Sequence, residues 1–387
     1  MPTTRTKNLL YRMMLPVMSP SIHADPVIAA KGHSLSNRRD LAAIIRRNHI
    51  TGGSFFLQSG SDSAVIFTRA VHTDLVPEEQ TYYRVASITK MATALLSVRL
   101  MDLGLIDPQT PVSFLLPEGE KTAELKNIRI THLLSHTSGL EDPPDLEMML
   151  NSRIPYTKAV SGHRVREPGE SFRYSNLGFG LLGCIFESLL NKPLGEIFRE
   201  YLFEPLKIGA TLEGCSIPED QIMPVIRVHL FPERKNTGLR VTQLGRIPLN
   251  EPDPMLHYGH TAGSLYINLP SLAKMLLSIR DGGTPLLSPK YVGYMQKQLA
   301  SYGPLSPTLS YGSGLLIVRD QRISEHTVYG HQGFAYGCVD GAFWEESTGR
   351  VMISLNGGCN EARSGRLGTA NLELCRWAFG KELPGWK

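Results

Sequence analysis

The sequence contains few cysteines, and they are far apart. There are five among 387 residues, and no two form the Cys-x-x-Cys pair typical of a zinc site or a dithiol redox centre. No glutamate lies between two histidines at metal-ligand spacing either, so the sequence predicts neither a metal nor another cofactor. We expect the cysteines to have packing roles. Their positions are Cys184, Cys215, Cys338, Cys359 and Cys375.

Long apolar runs and a strong charge imbalance are also absent. The longest apolar run, residues 177–190, is too short to cross a bilayer and contains Glu187. We therefore predict no membrane span. Lysine and arginine total 40 against 36 aspartates and glutamates, a formal net charge of +4, and the basic residues are scattered along the chain. This distribution does not indicate a nucleic-acid partner.

The first 35 residues are predicted to be a poorly ordered leader. Arg5 and Lys7 precede an apolar stretch that is similar to a signal peptide, but Arg12 and Pro16 interrupt it. An odd number of cysteines also fits poorly with a complete set of disulfides, which form in oxidising compartments. These observations favour a cytoplasmic location slightly over export and leave the question open.

Strand-like and helix-like segments follow a clear order along the chain. A helix is predicted over 36–48, followed by strands rich in aromatic and β-branched residues. The middle of the chain is predicted to be mainly helical, with loops that contain proline. A last helix is predicted over 370–380. The predicted strands lie at 53–60, 63–71 and 81–86, and again from about residue 311.

This order predicts a fold of the α/β class, of the α+β type. Strands at both ends of the chain indicate one antiparallel sheet flanked by helices, with a mainly helical lobe inserted between them. We assign the sheet lobe to about 36–86 and 305–380 and the helical lobe to about 87–304, within a single domain over 36–380. Binding clefts favour boundaries between lobes, so a functional site is expected where the two lobes meet.

Ser87 and Lys90 lie at the start of one helical segment. Apolar residues recur from Met91 to Leu103 at spacings of one, three and four, which predicts a helix buried on most sides. An ammonium group there loses hydration, so it needs a partner or a chemical role. Because residues three apart share a helix face, the Lys90 amine can reach the Ser87 hydroxyl. A neutral amine can take the serine proton and so activate the oxygen as a nucleophile.

Two interpretations of this pair stay open on the four residues alone. Ser87 can be a helix cap while Lys90 extends its amine to solvent, because Ser-x-x-Lys is frequent by chance. If Lys90 is a base, its pKa must fall from about 10.4 to near 7, which costs roughly 4 to 5 kcal/mol. Burial and a neighbouring cation can supply that shift.

Tyr174 and Asn176 form a second candidate, directly before an apolar helical segment. A phenol can relay protons, and an amide can orient both Lys90 and a substrate amide. Alternatively, Asn176 only caps the helix. Residues 178–183 match the dinucleotide pattern Gly-x-Gly-x-x-Gly, but no β-α-β unit surrounds them. We therefore interpret these glycines as sites of close helix packing.

His331 and Gly333 form the third candidate, on a strand-like segment. Gly333 leaves room for a ligand backbone at the strand edge, and His331 can donate a hydrogen bond or a positive charge. A single histidine is more often structural. Capping and core roles are expected for other histidines, among them His132, His136, His257 and His260.

Together the three motifs resemble those of the penicillin-recognising serine hydrolases. Ser-x-x-Lys, Tyr-x-Asn and His-x-Gly occur in this order, about 84 and 155 residues apart. Within that group the chain resembles the class C β-lactamase-like branch, which includes D,D-peptidases, D-amino-acid amidases and peptidases, and esterases. Further similarity lies in residues 130–140 and 261–283, and the resemblance spans about residues 36–380. It implies a β-lactamase/transpeptidase-like fold.

The resemblance also implies a serine hydrolase that needs no metal and works through an acyl-enzyme. It makes Ser87 the acylated nucleophile. Lys90 and Tyr174 become a coupled base that also returns a proton to the leaving group, and their titration belongs to the pair.

The remaining motif residues would bind the substrate. Asn176 would hold its acyl-amide side. His331 and Gly333 would lie beside an oxyanion hole formed by the backbone N–H groups of Ser87 and Phe334.

The third motif departs from that of true class C β-lactamases, which have Lys-Thr-Gly where this chain has His-Gln-Gly. A lysine is a permanent cation for the β-lactam carboxylate, whereas a histidine is charged only part of the time. Efficient penicillin hydrolysis is therefore less expected than action on a small ester, an amide or a peptide that contains a D-amino acid. The expected partner is such a small molecule or short peptide, and the sequence leaves the oligomeric state open.

Other functions stay open. One is a penicillin-binding or sensor protein that is acylated and hardly turns over, and another is a catalytically inactive scaffold. No Gly-x-Ser-x-Gly occurs in the chain, so the nucleophile elbow of α/β-hydrolases is absent.

Overall fold

Strands from both ends of the chain form the largest sheet. The computed structural model describes residues 13–14, 29–32, 38–70, 73–151, 153–228 and 248–380. The strands in this part of the chain are Ala29–Gly32 (β1), Gly53–Ser59 (β2), Asp62–Thr68 (β3), Tyr82–Arg84 (β4), Ala210–Thr211 (β5), Tyr266–Asn268 (β6), Ala300–Ser301 (β7), Leu309–Tyr311 (β8), Leu316–Val318 (β9), Val328–Ala335 (β10), Cys338–Glu345 (β11), Val351–Asn356 (β12), Arg363–Ser364 (β13) and Leu367–Gly368 (β14). Within the described residues the largest sheet has nine strands, in the order β1-β3-β2-β12-β11-β10-β9-β8-β7.

The N-terminal and C-terminal strands meet where β2 pairs with β12. The register runs from Gly53 opposite Asn356 to Gln58 opposite Val351. Each strand pair described in this sheet is antiparallel. The predicted fold class, an antiparallel sheet built from both ends of the chain and flanked by helices, is therefore confirmed.

Strands β1 and β4 are among those that differ from the prediction, as are the short β5, β6 and β7 in the middle of the chain. β1 lies inside the predicted leader and pairs with β3, from Ala29 opposite Phe67 to Gly32 opposite Ala64. Its four residues, AAKG, carry no alternating apolar pattern, so periodicity predicts no strand there. Apart from β1 and residues 13–14, the leader lies outside the described residues. β4 does not join the main sheet but pairs with β6, which also pairs with β5. An alternating pattern predicts a strand but not its partner.

The helices connect and cover the strands. The α-helices of the described residues are Arg38–Arg47 (α1), Thr89–Asp102 (α2), Ile130–Leu134 (α3), Leu146–Asn151 (α4), Tyr156–Val160 (α5), Asn176–Leu190 (α6), Leu194–Phe198 (α7), Glu204–Leu206 (α8), His260–Gly263 (α9), Leu269–Arg280 (α10), Pro289–Gln296 (α11) and Thr369–Phe379 (α12). A π-helical turn, Arg199–Phe203, joins α7 to α8. Short 3-10 turns lie at Ala86–Ile88, Val112–Phe114, Glu118–Glu120, Ala123–Leu125, Gly214–Ser216, Glu219–Gln221 and His257–Gly259.

Helices pack on both faces of the main sheet. On one face, α1 and α12 lie in one core cluster with Phe343 and Met352. On the other face, α2 and α10 lie in a larger cluster with Trp344 and Ile353. Neighbouring residues of β11 and β12 therefore point to opposite faces, as the two-residue period of a strand requires. Because both faces are covered, β11 is buried along its whole length.

Helix α2 lies at the centre of the larger core. Twelve of its fourteen residues are buried, so the helix has no solvent-facing side along most of its length. Lys90 itself is 0% exposed. The interpretation in which this lysine extends its amine to solvent is therefore wrong.

The glycines of α6 allow close contact between helices, as the sequence predicted. A methyl group on Gly180 would lie 2.7 Å from the Tyr258 carbonyl oxygen. A methyl group on Gly183 would lie 2.9 Å from the Thr261 methyl group. Both distances are shorter than van der Waals contact, so only glycine fits here without displacement of the neighbouring segment.

Four of the five cysteines are buried, and Cys215 is exposed. All five are free thiols. Burial raises the pKa of the Cys375 thiol, which therefore stays protonated and packs in the core. Within the described chain, no helix is both long enough and apolar enough to cross a bilayer.

We predict that Gly180→Ala lowers the free energy of unfolding by about 1–2 kcal/mol, because overpacking against Tyr258 outweighs the better helix propensity of alanine. The matched control is Gly293→Ala in α11, where an added methyl group meets nothing within 4 Å. That control is expected to gain roughly 0.5–1 kcal/mol. Urea denaturation of both variants measures the difference, and equal gains in stability would contradict the close packing.

Candidate active site

Ser87 lies in a tight turn between β4 and α2. The turn is the 3-10 segment Ala86–Ile88, and α2 begins at the next residue. Ala86 has φ of 44°, in the left-handed region that residues with a side chain rarely adopt. Backbone strain of this kind persists only where the surrounding structure enforces it, and it is frequent at functional sites. The turn leaves Ser87 partly exposed, whereas both flanking residues are buried.

The Lys90 amine makes three hydrogen-bond contacts below Ser87. Nζ lies 2.7 Å from the Asn176 Oδ1 and 2.6 Å from the Ala262 carbonyl oxygen. It lies 3.3 Å from the Ser87 Oγ. Both oxygens at the shorter distances are acceptors only, so each takes one N–H of the amine. In a neutral amine, the remaining lone pair is then directed at the serine hydroxyl.

Burial lowers the pKa of Lys90 to about 7. The Asp142 carboxylate opposes this shift, and the Arg84 cation adds to it. The amine is therefore neutral in a large fraction of molecules near neutral pH. A neutral amine 3.3 Å from Ser87 Oγ can accept its proton.

Tyr174 lies on the other side of Ser87, in the extended segment before α6. Burial raises the pKa of its phenol, and the nearby Ser87 hydroxyl lowers it in part. The phenol therefore stays protonated near neutral pH and is a proton donor. Its ring lies 5.0 Å from the Lys90 Nζ. Amine, hydroxyl and phenol thus meet in one place, as the sequence predicted.

His136 supports the tyrosine segment from below. Its ring stacks on the Tyr174 ring with centroids 4.2 Å apart. Its Nδ1 accepts the Ser175 N–H at 3.1 Å, and its carbonyl oxygen accepts the Arg173 N–H at 2.7 Å. Burial lowers the pKa of His136 well below the usual histidine value, so the ring is neutral. The expected core role of this histidine is confirmed.

The cap of α6 is Ser175, not Asn176. The Ser175 hydroxyl accepts the Gly178 N–H at 3.0 Å. Asn176 is the first helical residue, and its side chain lies between Lys90 and Asp142. The amide is therefore available to orient the lysine, which is the role that the sequence suggested besides capping.

Gly333 on β10 packs against the chain itself. A methyl group at this position would lie 2.2 Å from the Val85 carbonyl oxygen and 3.5 Å from the Ala86 methyl group. The reason for glycine is thus the contact between β10 and the turn that carries Ser87, and not room for a ligand backbone. The next residue, Phe334, lines the same cleft as Ser87.

His331 also lines the cleft, but both of its ring nitrogens have protein partners. Nε2 lies 2.9 Å from the Tyr311 hydroxyl, and Nδ1 lies 2.8 Å from the Gln332 carbonyl oxygen. A carbonyl only accepts, so Nδ1 carries the proton and Nε2 accepts from the tyrosine. Burial and the Lys90 charge lower the pKa of His331 to about 3. The expectation that His331 supplies a positive charge is therefore wrong.

The cleft above Ser87 has a volume of about 470 Å³. Its walls combine aromatic rings with positive charge, and the described residues that line it include no aspartate or glutamate. The lining residues are Ser87, Phe172, Arg173, Tyr174, Tyr302, Leu316, His331, Gln332, Phe334, Arg363 and Arg366. Arg173 pairs with Glu141. Among the described residues, Arg363 and Arg366 form no ion pair with a carboxylate.

Sequence reasoning missed several residues of this site. Arg363 lines the cleft, and Asp142 binds Asn176 next to Lys90. Neither residue belongs to a recognisable motif, so only the tertiary structure shows that they lie at this site. The sequence feature that could have indicated the positively charged wall of the cleft is the pair of arginines Arg363 and Arg366, three residues apart. In the described chain, no three side chains of metal-binding type gather into a group.

Solved structures share this fold over most of their length. EstCE1, a hydrolase with promiscuous acyltransferase activity, matches with a TM-score of 0.70 and 16% identity, over 88% of this chain and 98% of that one. The D-amino acid amidase of Ochrobactrum anthropi SV3 matches with a TM-score of 0.64 and 20% identity, over 84% and 93%. These likenesses define the β-lactamase/transpeptidase-like fold.

The family model described as Beta-lactamase matches residues 61–354, more than half of the chain. The chain therefore belongs to the Beta-lactamase family, and the family resemblance of the three motifs is confirmed. The Beta-lactamase of Providencia stuartii is 27% identical over 182 residues, 46% of each chain. The D-alanyl-D-alanine-carboxypeptidase/endopeptidase AmpH of Escherichia coli (strain K12) is 30% identical over 144 residues, 35% of this chain and 37% of the relative. The matched stretches span less than half of these relatives.

The shifted pKa of Lys90 predicts a pH-dependent stability. Between pH 7 and its ordinary value of 10.5, the unfolded chain holds a proton on Lys90 that the folded chain lacks. Stability therefore rises with pH across this window, by up to about 1.4 kcal/mol per pH unit from this one group. Below pH 7 the folded lysine is also protonated, and the full cost of its burial remains.

Urea denaturation of the wild type and of Lys90→Met at pH 6, 7, 8 and 9 checks this prediction. The wild type is expected to gain stability relative to the variant as the pH rises above 7. The carbonyl groups that the variant leaves unpaired add an offset that does not change with pH. A difference that stays constant over this range would show that Lys90 keeps its ordinary pKa.

Proposed function

We propose that this protein is a serine hydrolase that forms an acyl-enzyme on Ser87, with Lys90 as the general base. The observation that carries the proposal is the buried amine, whose two N–H groups bind carbonyl oxygens while its third direction points at the Ser87 hydroxyl. Membership of the Beta-lactamase family, a family of hydrolases, supports the reaction class.

In the acylation step, Ser87 Oγ attacks the carbonyl carbon of an ester or amide. Lys90 takes the hydroxyl proton as the new C–O bond forms, and the carbonyl oxygen becomes an oxyanion. The backbone N–H groups of Ser87 and Phe334 are the proposed oxyanion hole. Tyr174 then donates its phenolic proton to the leaving oxygen or nitrogen as that bond breaks, and the Lys90 ammonium reprotonates the phenolate.

Deacylation repeats these transfers with water. A water molecule attacks the acyl carbon and gives a proton to Lys90. The C–O bond to Ser87 then breaks, the serine oxygen recovers the proton, and the free acid leaves. Lys90 and Tyr174 both end in the protonation states in which they began. Asn176 keeps the amine in place through each step, since its oxygen can accept an N–H from the neutral amine and from the ammonium.

The cleft supports a substrate that carries a carboxylate. Arg363 and Arg366 stand in its wall and form no direct ion pair among the described residues, although the Glu361 charge acts on Arg363 from a longer distance. Arg363 also lies 3.9 Å above the Phe334 ring. Arginine binds carboxylates through two parallel N–H groups, and a cleft of one charge sign attracts the opposite sign. These side chains replace the charge that neutral His331 does not supply.

The aromatic part of the wall supports an apolar body on the same substrate. Phe172 and Tyr302 lie with ring centroids 4.1 Å apart beside the cleft. The substrate class that fits both walls is a small ester, amide or D-residue peptide with an apolar side group and a free carboxylate. The names of two similar proteins, a D-amino acid amidase and a D-alanyl-D-alanine-carboxypeptidase/endopeptidase, support the D-residue part of this substrate class.

Ser87→Ala is predicted to abolish both covalent labelling by a fluorescent fluorophosphonate and hydrolysis of p-nitrophenyl esters, because no other group replaces the nucleophile. Lys90→Ala and Tyr174→Phe are expected to slow labelling severely. In the wild type, the labelling rate should rise with pH around a midpoint near 7, since only the unprotonated amine accepts the serine proton.

Ser113→Ala, a serine outside the cleft, is the control and should label like the wild type. Full activity of Ser87→Ala would overturn the proposal. A burst of p-nitrophenol followed by a steady rate indicates a hydrolase. A burst with no further turnover would instead favour the penicillin-binding or sensor function.

We also predict that Arg363→Gln and Arg366→Gln each raise KM for a p-nitrophenyl ester with a free carboxylate on its acyl chain. The expected loss is about 1–2 kcal/mol, or roughly 5- to 30-fold, for a lost charge-assisted hydrogen bond. KM for the corresponding methyl-capped, neutral ester should not change. Arg199→Gln, far from the cleft, controls for net charge. Equal effects on both esters would show that these arginines do not read the carboxylate.

A further inference from the structure

Asp142 binds three consecutive residues of the Tyr-x-Asn segment. Its Oδ1 accepts the Leu177 N–H at 2.9 Å and the Ser175 hydroxyl at 3.2 Å. Its Oδ2 accepts the Asn176 Nδ2 at 2.7 Å. Asp142 does not line the cleft, so it has no direct access to substrate. Within the described part of the chain, its side-chain hydrogen bonds go to Ser175, Asn176 and Leu177, at the start of the helix whose Asn176 binds Lys90.

The contact with Asn176 fixes the direction of that amide. A carboxylate accepts hydrogen bonds only, so the amide must turn its NH₂ group toward Asp142. Its oxygen then faces the Lys90 Nζ, 2.7 Å away. In the opposite orientation the NH₂ group would face the amine and donate into its lone pair. That lone pair would then no longer be available to the Ser87 hydroxyl.

The charge of Asp142 acts on the same amine. The carboxylate raises the pKa of Lys90, against burial and the Arg84 cation, which lower it. His136 and His331 also stand near this amine, and burial keeps both of them neutral. Tyr174, the remaining titratable neighbour, is protonated. Asp142 is therefore the negative charge that acts on Lys90 within this group of residues.

We propose that Asp142 is a positioning residue for the acylation of Ser87, because it turns the Asn176 amide so that its oxygen, and not its NH₂ group, binds Lys90. This inference rests on the proposed function. It adds Asp142, which lies outside the three motifs, to the residues that act in the site. It also makes the Lys90 amine, and not the acyl-amide group of the substrate, the binding partner of Asn176.

Labelling by the fluorescent fluorophosphonate between pH 5.5 and 9.5 tests the proposal in the full-length protein. Asp142→Asn keeps the size of the side chain but replaces one carboxylate oxygen with an NH₂ group. That group faces the donors of Ser175, Asn176 and Leu177, so the Asn176 amide loses its fixed direction. The plateau labelling rate is expected to fall about 10- to 100-fold. The pH midpoint should move below that of the wild type, because Lys90 loses a nearby negative charge. This shift reports the charge of Asp142, whereas the fall in the plateau rate reports the direction of the Asn176 amide.

The double variant Asp142→Asn with Asn176→Asp is the matched rescue. It exchanges the carboxylate and the amide, so an oxygen again faces Lys90 whichever way the group at position 176 turns. Its plateau rate should recover most of the loss, and its midpoint should lie above that of the wild type, because the carboxylate now contacts the amine directly. If the single variant does not fold, the plateau rate of the double variant decides, since a rate close to that of the wild type requires an oxygen at position 176 that faces Lys90.

Different outcomes overturn the proposed function and the role of Asp142. A wild type that is not labelled, or that is labelled equally after Ser87→Ala, overturns the proposed function. A labelled wild type whose rate and midpoint are unchanged by Asp142→Asn overturns only the role of Asp142. A folded double variant that labels no faster than the single variant, or that keeps the wild-type midpoint, does the same.

Discussion

One buried amine determines the organisation of this site. Lys90 lies in the first turn of a helix with no solvent-facing side, and its charge is costly there. Two carbonyl oxygens bind the amine whether or not it is charged. Burial then brings its pKa close to 7. The same constraint that would destabilise an ordinary lysine makes this one a base beside Ser87.

The fold assembles the site from segments that are distant in sequence. Ser87 comes from the turn before α2, and Lys90 from the first turn of that helix. Tyr174 comes from the segment that leads into α6, and Asn176 is the first residue of that helix. β10 closes the cleft from the sheet side, where Gly333 lets the strand approach the turn of the nucleophile. The contact of Gly333 with Val85 joins this strand of the antiparallel sheet to the turn that carries Ser87. The walls of the cleft therefore include residues of the sheet strand β10 and residues that directly precede α2 and α6.

Local pattern predicted much of this arrangement. The three-residue spacing predicted the contact between Lys90 and Ser87, and alternating apolar residues predicted most strands of the main sheet. Both features depend on residues that are close in sequence. Local pattern could not predict that His331 is neutral, because burial and the charge of Lys90, which is distant in sequence, lower its pKa. Nor could it predict the hydrogen bond between its Nε2 and Tyr311, twenty residues away. It also could not find Asp142, which acts through hydrogen bonds across 34 residues. Contacts of this kind are set by tertiary packing, which leaves no trace in local periodicity.

The most direct test of the account is the titration of Lys90 by NMR in protein labelled with ¹³C lysine, with its signal assigned by its loss in Lys90→Arg. A midpoint near pH 7 for the ε-carbon shift, with the other lysines near their usual values, is the predicted result. A midpoint near 10.5 would show a permanently charged amine beneath Ser87, and the proposed base would not exist.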